Sequence, residues 1–155
     1  MSRVATIVVA LAGLAIAGYL TTVHYAGADP VCAIAHGCAT VQKSSYAEFA
    51  GIPVALLGLL SYVAILGSLV KDNETTRSVT ALLAICGLAF SLWLTYVEIW
   101  ELEAICIWCV GSAACMALLA VLSVIRLLAA PPSATSAVAV RAVSSSRSSP
   151  ARMAA

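Results

Sequence analysis

The sequence contains little charge. Of its 155 residues only 10% are Asp, Glu, Lys or Arg, whereas 63% are hydrophobic, and the mean hydropathy is +1.04. A soluble domain covers its surface with polar groups and normally carries about 25% charged residues. The scarcity of charge therefore excludes a soluble domain and makes the lipid bilayer the expected solvent.

A concentrated basic surface is also missing. The formal net charge is only +1, whereas nucleic-acid-binding proteins carry clustered Lys and Arg. We therefore expect no nucleic-acid partner.

The sequence has instead four long apolar stretches, each close to the roughly 20 residues that a helix needs to cross a bilayer. They cover about residues 4–25, 52–70, 78–97 and 104–125. The pattern predicts an all-α membrane protein, with a four-transmembrane-helix bundle in residues 1–128. A cleaved signal peptide is the alternative for the first stretch. Its run from Val4 to Leu20 exceeds the roughly 7–15 residues of a signal core, so we expect a retained helix.

Basic residues are divided unequally between the two sides that four spans create. One of them, Lys43, lies on the side of the loops that contain residues 26–51 and 98–103. Those on the side of the termini are Arg3, Lys71, Arg77, Arg126, Arg141, Arg147 and Arg152. Because basic segments stay in the cytoplasm, we expect a multi-pass protein of the inner (plasma) membrane, with cytoplasmic termini and the two loops in the periplasm.

The composition changes after the fourth stretch. Pro131-Pro132 stops the last helix, and the following residues are mainly Ala, Ser and Val with scattered Arg. Because no core-forming pattern is present, we predict that residues 129–155 form a disordered cytoplasmic tail.

Four of the six cysteines form two pairs on the outer side, where disulfides persist. Cys106 and Cys109 form a C-x-x-C motif at the start of the fourth span, so both sulfurs share one helix face. Free N–H groups and the helix dipole stabilise a thiolate there, while Glu101 and Glu103 just upstream oppose it. The remaining cysteines lie inside spans, where cysteine usually acts as a small apolar residue; they are Cys86 and Cys115.

The other pair, Cys32 and Cys38, encloses a segment with Gly37 that reads as a loop. Such a pair forms either an exchangeable disulfide or a static one that stiffens the loop. A zinc site at the C-x-x-C motif is another alternative, in which these cysteines and His36 supply the additional ligands. Zinc sites rarely lie at a lipid interface, so we expect no metal and a solvated His36.

The segment 41–50 is too polar to cross a bilayer. Ser45-Tyr46-Ala47-Glu48 matches the S-x-x-E capping box that begins a helix, and the aromatic residues suit the headgroup level. We predict a short half-helix in the outer interface, followed by a turn at Gly51 and by Pro53 in the first turn of the second span. A mere connector is the alternative.

These motifs together resemble the vitamin K epoxide reductase family, most closely its prokaryotic members. The resemblance covers about residues 5–128, and its combination of motifs is hard to reach by chance. It rests on Cys32-x5-Cys38, Val41, Ser44, Tyr46-Ala47, Gly51-Ile52-Pro53 and Cys106-x-x-Cys109. The sequence contains no thioredoxin domain of the kind that some members carry.

The resemblance implies a role for each matching residue. Cys106 and Cys109 match the active-site pair, in which Cys109 lies at the quinone ring and Cys106 exchanges with the loop. Cys38 is then the exchange partner of Cys106, and Cys32 receives electrons from an external thiol protein. Ser44 matches a serine near the quinone site; a capping hydroxyl is its alternative role.

The implied function is that of a thiol–quinone oxidoreductase. Electrons pass from a periplasmic thioredoxin-fold dithiol oxidase to a membrane quinone, either menaquinone or ubiquinone. Vertebrate members use a tyrosine four residues after the second active-site cysteine to bind vitamin K, and this sequence has Ala113 there. Reduction of vitamin K epoxide is therefore the less favoured alternative. A protein without enzymatic activity is a further alternative, namely a membrane scaffold in which the loop disulfide is structural.

Overall fold

The computed structural model describes residues 2–32, 37–71 and 73–129, which are mostly helical, as predicted. The helices are α1 (Ser2–Ala26), α2 (Cys38–Gln42), α3 (Val54–Ser68), α4 (Glu74–Trp100) and α5 (Ile107–Leu128). Between α2 and α3 lie a 3-10 turn (Ser45–Ala47) and an antiparallel hairpin of β1 (Glu48–Phe49) and β2 (Ile52–Pro53). Apart from Ala129, the predicted tail lies outside the described residues.

Three helices, α1, α4 and α5, are long and apolar enough to cross a bilayer. Helix α3 is apolar but has only 15 residues, about 22 Å at 1.5 Å per residue, against a hydrocarbon core of about 30 Å. The predicted span 52–70 is shortened because Ile52 and Pro53 pair with β1 and Leu69 and Val70 form a turn. The fold is that of a multi-pass membrane protein, while the crossing by α3 stays a prediction.

Contacts at the two ends of the bundle define the direction of the helices. Arg3 donates from Nη2 to the Leu69 carbonyl at 2.7 Å, which places the start of α1 beside the end of α3. At the opposite end, Trp108 of α5 packs against Tyr19 of α1, with ring centroids 4.9 Å apart. Helix α1 therefore runs antiparallel to α3 and α5, and the C-x-x-C motif lies at the end far from Arg3.

Tyr62 of α3 lies at the centre of the bundle core. Its side chain is fully buried, and its hydroxyl donates to the Ser112 carbonyl of α5 at 2.9 Å. A Cβ atom on Gly13 would collide with the Tyr62 ring. The absence of a side chain on Gly13 therefore lets α1 pack directly on α3. The Tyr62 hydroxyl joins α3 to α5.

Helix α4 extends beyond the predicted span 78–97 at both ends. It begins at Glu74 because Asn73 Oδ1 accepts from the Thr76 N–H at 2.8 Å, while the Thr76 hydroxyl accepts from the Asn73 N–H at 3.1 Å. This reciprocal capping box satisfies two backbone donors. At the other end the helix continues past Glu98, which the sequence placed in the outer loop. Charged residues mark the ends of the apolar stretch in the sequence, whereas hydrogen bonds determine where the helix itself begins and ends.

The half-helix is not formed as the sequence predicts. Ser44 precedes a single 3-10 turn without a side-chain cap, and Glu48 lies in β1, where its carboxylate is 3.6 Å from His24 Nε2. The prediction of a capping box between Ser45 and Glu48 is therefore wrong. The short helix of this loop is α2, which begins earlier, at Cys38.

The predicted turn at Gly51 is confirmed. Ala50 and Gly51 have positive φ angles of 54° and 78°, as a two-residue hairpin turn between twisted strands requires. Pro53 lies immediately before α3, one position earlier than predicted, where its fixed φ suits the entry to a helix.

Candidate active site

Cys32 and Cys38 form a disulfide, with 6.2 Å between their Cα atoms, within the usual range for such a bond. Cys32 is partly exposed, whereas Cys38, the first residue of α2, is buried. The pair therefore has an outer and an inner cysteine, and its bond occupies two thiols that the zinc alternative needs. His36 lies outside the described residues.

The residue before Cys32 is held by two aromatic side chains. The Val31 N–H donates to the Tyr19 hydroxyl at 2.9 Å, and the Val31 carbonyl accepts from the Trp108 indole N–H at 2.9 Å. The two rings also contact each other. This Val31 clamp, formed by Tyr19 and Trp108, connects the loop disulfide to the C-x-x-C motif, because Trp108 lies inside that motif.

A second contact joins the two segments that carry cysteines. Gly37 packs against the connector between α4 and α5, and a Cβ atom on it would lie 2.6 Å from the Ile105 backbone nitrogen. The residues that follow Gly37 and Ile105 are Cys38 and Cys106, and both are buried (1% and 0% exposed). The inner cysteine of the loop and the first cysteine of the motif thus lie in adjoining segments.

Cys106 lies at the N-cap position of α5, and Cys109 lies in its first turn. Both are free thiols in this structure, and the Cys109 side chain is hydrogen-bonded to the Cys106 sulfur. This hydrogen bond lowers the pKa of Cys106, and backbone N–H groups of the first turn act in the same direction, against burial and the Glu98 carboxylate. Cys106 is therefore disposed to ionise, and the thiolate is the species that exchanges disulfides.

Glu98, in the last turn of α4, contacts both cysteines of the motif. Its Oε2 accepts from the Cys106 N–H at 3.0 Å, and its carboxyl group is hydrogen-bonded to the Cys109 thiol. Glu98 is buried, whereas Glu101 and Glu103 are exposed. Sequence reasoning assigned the local negative charge to these two exposed residues and missed Glu98. The available signal was an acidic residue with apolar neighbours on both sides.

A cavity of about 410 Å³ lies among the helices beside the motif. Cys109, Ser112 and Met116 of α5 lie on its wall, as does Glu98 of α4. This volume is within the range of small-molecule sites. The second cysteine of the motif therefore borders a space that is large enough for a quinone ring.

Aromatic residues of the loop close one side of this cavity. Tyr46 and Phe49 lie on its wall, and each packs edge-on against an aromatic ring of α4. The ring centroids are 6.5 Å apart for Tyr46 and Trp93, and 6.1 Å apart for Phe49 and Phe90. The loop that carries the disulfide thus also forms part of the wall.

Ser44 lies on the cavity wall and also has a local role in the loop. Its hydroxyl donates to the Val41 carbonyl at 2.8 Å, which closes the turn after α2. The hydroxyl proton is therefore engaged, and the oxygen keeps lone pairs that can accept a hydrogen bond. Contact between Ser44 and a quinone stays a prediction.

Comparison with known families covers nearly all of the helical bundle. The model described as the vitamin K epoxide reductase family matches residues 4–124, a range that includes both cysteine pairs and the cavity. Enzymes of this family are oxidoreductases that act with quinones. No protein of curated function matches the chain significantly.

Proposed function

The chain belongs to the vitamin K epoxide reductase family, and we propose that it is a membrane thiol–quinone oxidoreductase. It takes electrons from a periplasmic thioredoxin-fold dithiol oxidase and passes them through two cysteine pairs to menaquinone or ubiquinone. The observation that carries this proposal is the position of Cys109, which lies on the wall of a ring-sized cavity inside a motif that the disulfide loop contacts.

In the first step a thiolate of the partner attacks Cys32 of the loop disulfide. Cys32 is the partly exposed member of the pair, so it is the sulfur that another protein reaches. The second thiol of the partner then displaces Cys32 from the mixed disulfide. The partner gains a disulfide, and Cys32 and Cys38 become thiols, so two electrons and two protons enter the chain.

In the second step the loop reduces the C-x-x-C motif, which is now in its disulfide form. Cys38 attacks Cys106 and releases Cys109, and Cys32 then attacks Cys38 and releases Cys106. The lowered pKa of Cys106 favours its departure, because a more acidic thiol leaves faster. The products are an oxidised loop and two free thiols in the motif, which is the redox state of this structure.

In the third step the two thiols reduce the quinone in the cavity. A bond forms between Cys106 and Cys109, and their electron pair passes to the ring. The two thiol protons go to the two quinone oxygens, which yields a quinol. Tyr46 and Phe49 offer apolar ring surface on the wall, and Ser44 offers a hydroxyl oxygen, which suits a ring that changes from acceptor to donor.

The distribution of charge supports the proposed location. Arg3, at the start of α1, bonds to the end of α3, whereas Lys43 lies in the loop that follows α2 and contacts Asp29. The basic end of the bundle is therefore opposite the C-x-x-C motif. Under the positive-inside rule this arrangement supports cytoplasmic termini and cysteine pairs at the periplasmic face.

A test uses the purified protein in lipid vesicles, with reduced dithiothreitol as donor and a short-chain quinone as acceptor. We expect Cys109→Ala to abolish quinol formation. Cys115→Ala, which removes a thiol elsewhere on α5, is the matched control and retains the wild-type rate. Quinol formation by Cys109→Ala at the wild-type rate contradicts the proposed path.

Two further measurements separate the alternatives. Wild-type protein is assayed with vitamin K epoxide beside simple quinones, and we expect it to prefer the quinones because Ala113 lacks a phenol. Protein that has first been oxidised with excess quinone is then mixed with the donor, and thiol labelling is expected to change at all four proposed cysteines. A scaffold with a structural disulfide predicts instead that Cys106 and Cys109 keep the same labelling throughout.

A further inference from the structure

Reduction of a quinone requires protons as well as electrons. Two thiols hold both protons, and these protons must move from sulfur to the oxygens of a ring in the cavity, which Cys109 borders. A group that carries a proton must therefore contact a reacting thiol and also face the cavity. Among the described residues on the cavity wall, Glu98 is the only one with a carboxyl group.

The position of Glu98 fits such a role. Its carboxyl group is hydrogen-bonded to the Cys109 thiol, and its Oε2 accepts from the Cys106 N–H at 3.0 Å. The hydrogen bond from the Cys106 N–H fixes the orientation of the carboxyl group without taking part in proton transfer. The backbone carbonyl of Glu98 also accepts from the Ala104 N–H at 3.0 Å, which ties the connector to the same residue.

The burial of Glu98 argues for more than a structural contact. The residue is 3% exposed, and an ionisable group is costly to bury in an apolar bundle. A neutral amide accepts a backbone hydrogen bond without this cost. Ionisable residues inside membrane bundles therefore commonly mark functional sites.

We propose that Glu98 is a catalytic residue that accepts the proton of the Cys109 thiol and donates it to a quinone oxygen in the cavity. In the net reaction the Cys106–Cys109 disulfide forms and both electrons pass to the quinone. The Cys109 proton reaches one oxygen through Glu98, and the Cys106 proton reaches the other. Glu98 is regenerated as a carboxylate. This inference rests on the proposed function and adds the path of one proton.

The variant Glu98→Gln separates the two roles, because an amide oxygen still accepts from the Cys106 N–H but does not carry the proton. We expect its kcat for quinone reduction to fall by about 100-fold, the usual scale of general acid–base catalysis, with little change in KM for the quinone. Reduction of the Cys32–Cys38 disulfide by the donor, measured by thiol trapping, stays within about twofold of wild type, since this step precedes the proton transfer assigned to Glu98.

The matched control is Glu101→Gln, which removes an exposed carboxylate three residues further along and is expected to retain the wild-type kcat. Glu98→Asp keeps the acid and is expected to recover part of the lost rate. If Glu98→Gln unfolds, Glu98→Asp decides instead: it supports the proposal when kcat falls and the solvent deuterium isotope effect on quinol formation increases.

A wild-type kcat in Glu98→Gln overturns the inference, as does equal loss in Glu98→Asp and Glu98→Gln with an unchanged isotope effect. Failure of the proposed function is a different result, in which wild-type protein and Glu101→Gln form no quinol from any quinone. The wild-type measurement therefore distinguishes the two failures.

Discussion

Gly37 packs so closely against Ile105 that a Cβ atom on Gly37 would lie 2.6 Å from the Ile105 nitrogen and 2.7 Å from its carbonyl oxygen. Backbone atoms cannot move aside as the end of a flexible side chain can. The φ angle of Gly37 is −83°, which any residue adopts, so the contact rather than the conformation requires glycine. This contact joins the segment of Cys38 to the segment of Cys106.

Gly37→Ala should therefore separate the two cysteine pairs. We expect exchange between Cys38 and Cys106 to slow by roughly tenfold or more, because a displacement of the reacting groups by about 1 Å can cost 100-fold in rate. Quenched-flow mixing with a dithiol donor, in which acid stops the reaction before thiol labelling, measures the exchange. The control is Gly67→Ala, where nothing lies within 4 Å of the added Cβ. Equal exchange rates in both variants would disprove the role of this contact.

The Val31 clamp leads to a second prediction. Trp108→Phe keeps an aromatic ring against Tyr19 but loses the indole N–H that donates to the Val31 carbonyl. A hydrogen bond contributes about 0.5–1.5 kcal/mol, which corresponds to a factor of roughly 2 to 13 in a rate. We expect reduction of Cys32–Cys38 by the external donor to slow by this factor, since the residue beside Cys32 is less fixed.

The control for this prediction is Trp100→Phe, at an exposed indole that stacks on Tyr96. It is expected to leave the same rate unchanged. If both variants slow the reaction equally, the effect comes from the general loss of an interfacial tryptophan and the clamp has no specific role.

The sequence predicts those features that depend on local composition. Apolar stretches identify the helices, because the side chains of a membrane-spanning helix must be apolar whatever other segments they contact. The hairpin turn at Gly51 is equally local, since two residues with positive φ form it. The two cysteine pairs are also visible in the sequence, because each pair lies within a few residues of the chain.

Features that depend on contacts between distant segments could not be predicted. The bond from Trp108 to Val31 joins residues 77 positions apart, and neither residue signals the other. Glu98 resembles an ordinary acidic residue at a helix end until the connector folds back and places Cys106 against it. The shortening of α3 likewise follows from strand pairing with β1, which hydropathy does not detect.

The packing of Gly13 on Tyr62 leads to a third prediction, on stability. A Cβ atom at position 13 overlaps the buried Tyr62 ring, which cannot shift without breaking its hydrogen bond to Ser112. We expect Gly13→Ala to lower the free energy of unfolding by about 1–3 kcal/mol, the usual cost of overpacking. Gly18→Ala is the control, because its Cβ would be 3.7 Å from Leu59, an ordinary contact. Thermal unfolding in detergent measures both, and equal stability of the two variants contradicts the prediction.

The pKa of Cys106 leads to the last prediction. The hydrogen bond from Cys109 lowers this pKa, so the Cys106 thiolate forms at a lower pH than that of an ordinary cysteine. A thiolate absorbs ultraviolet light more strongly than a thiol, so the absorbance of Cys106 should rise through a midpoint below the usual range. Cys109→Ala removes the hydrogen bond, so the midpoint should move to higher pH and less Cys106 should be ionised at neutral pH.

Ultraviolet absorbance is measured across a pH series in protein whose Cys32–Cys38 disulfide is intact, and subtraction of the curve of the Cys106→Ala variant in the same background isolates the Cys106 thiolate. Cys115→Ala is the control and leaves the midpoint in place, because Cys115 is not among the groups that shift the pKa of Cys106. A midpoint in Cys109→Ala that equals or falls below the wild-type value would show that Cys109 does not stabilise the Cys106 thiolate. Cys106 would then lose the property that makes it a good leaving group in the exchange with Cys38.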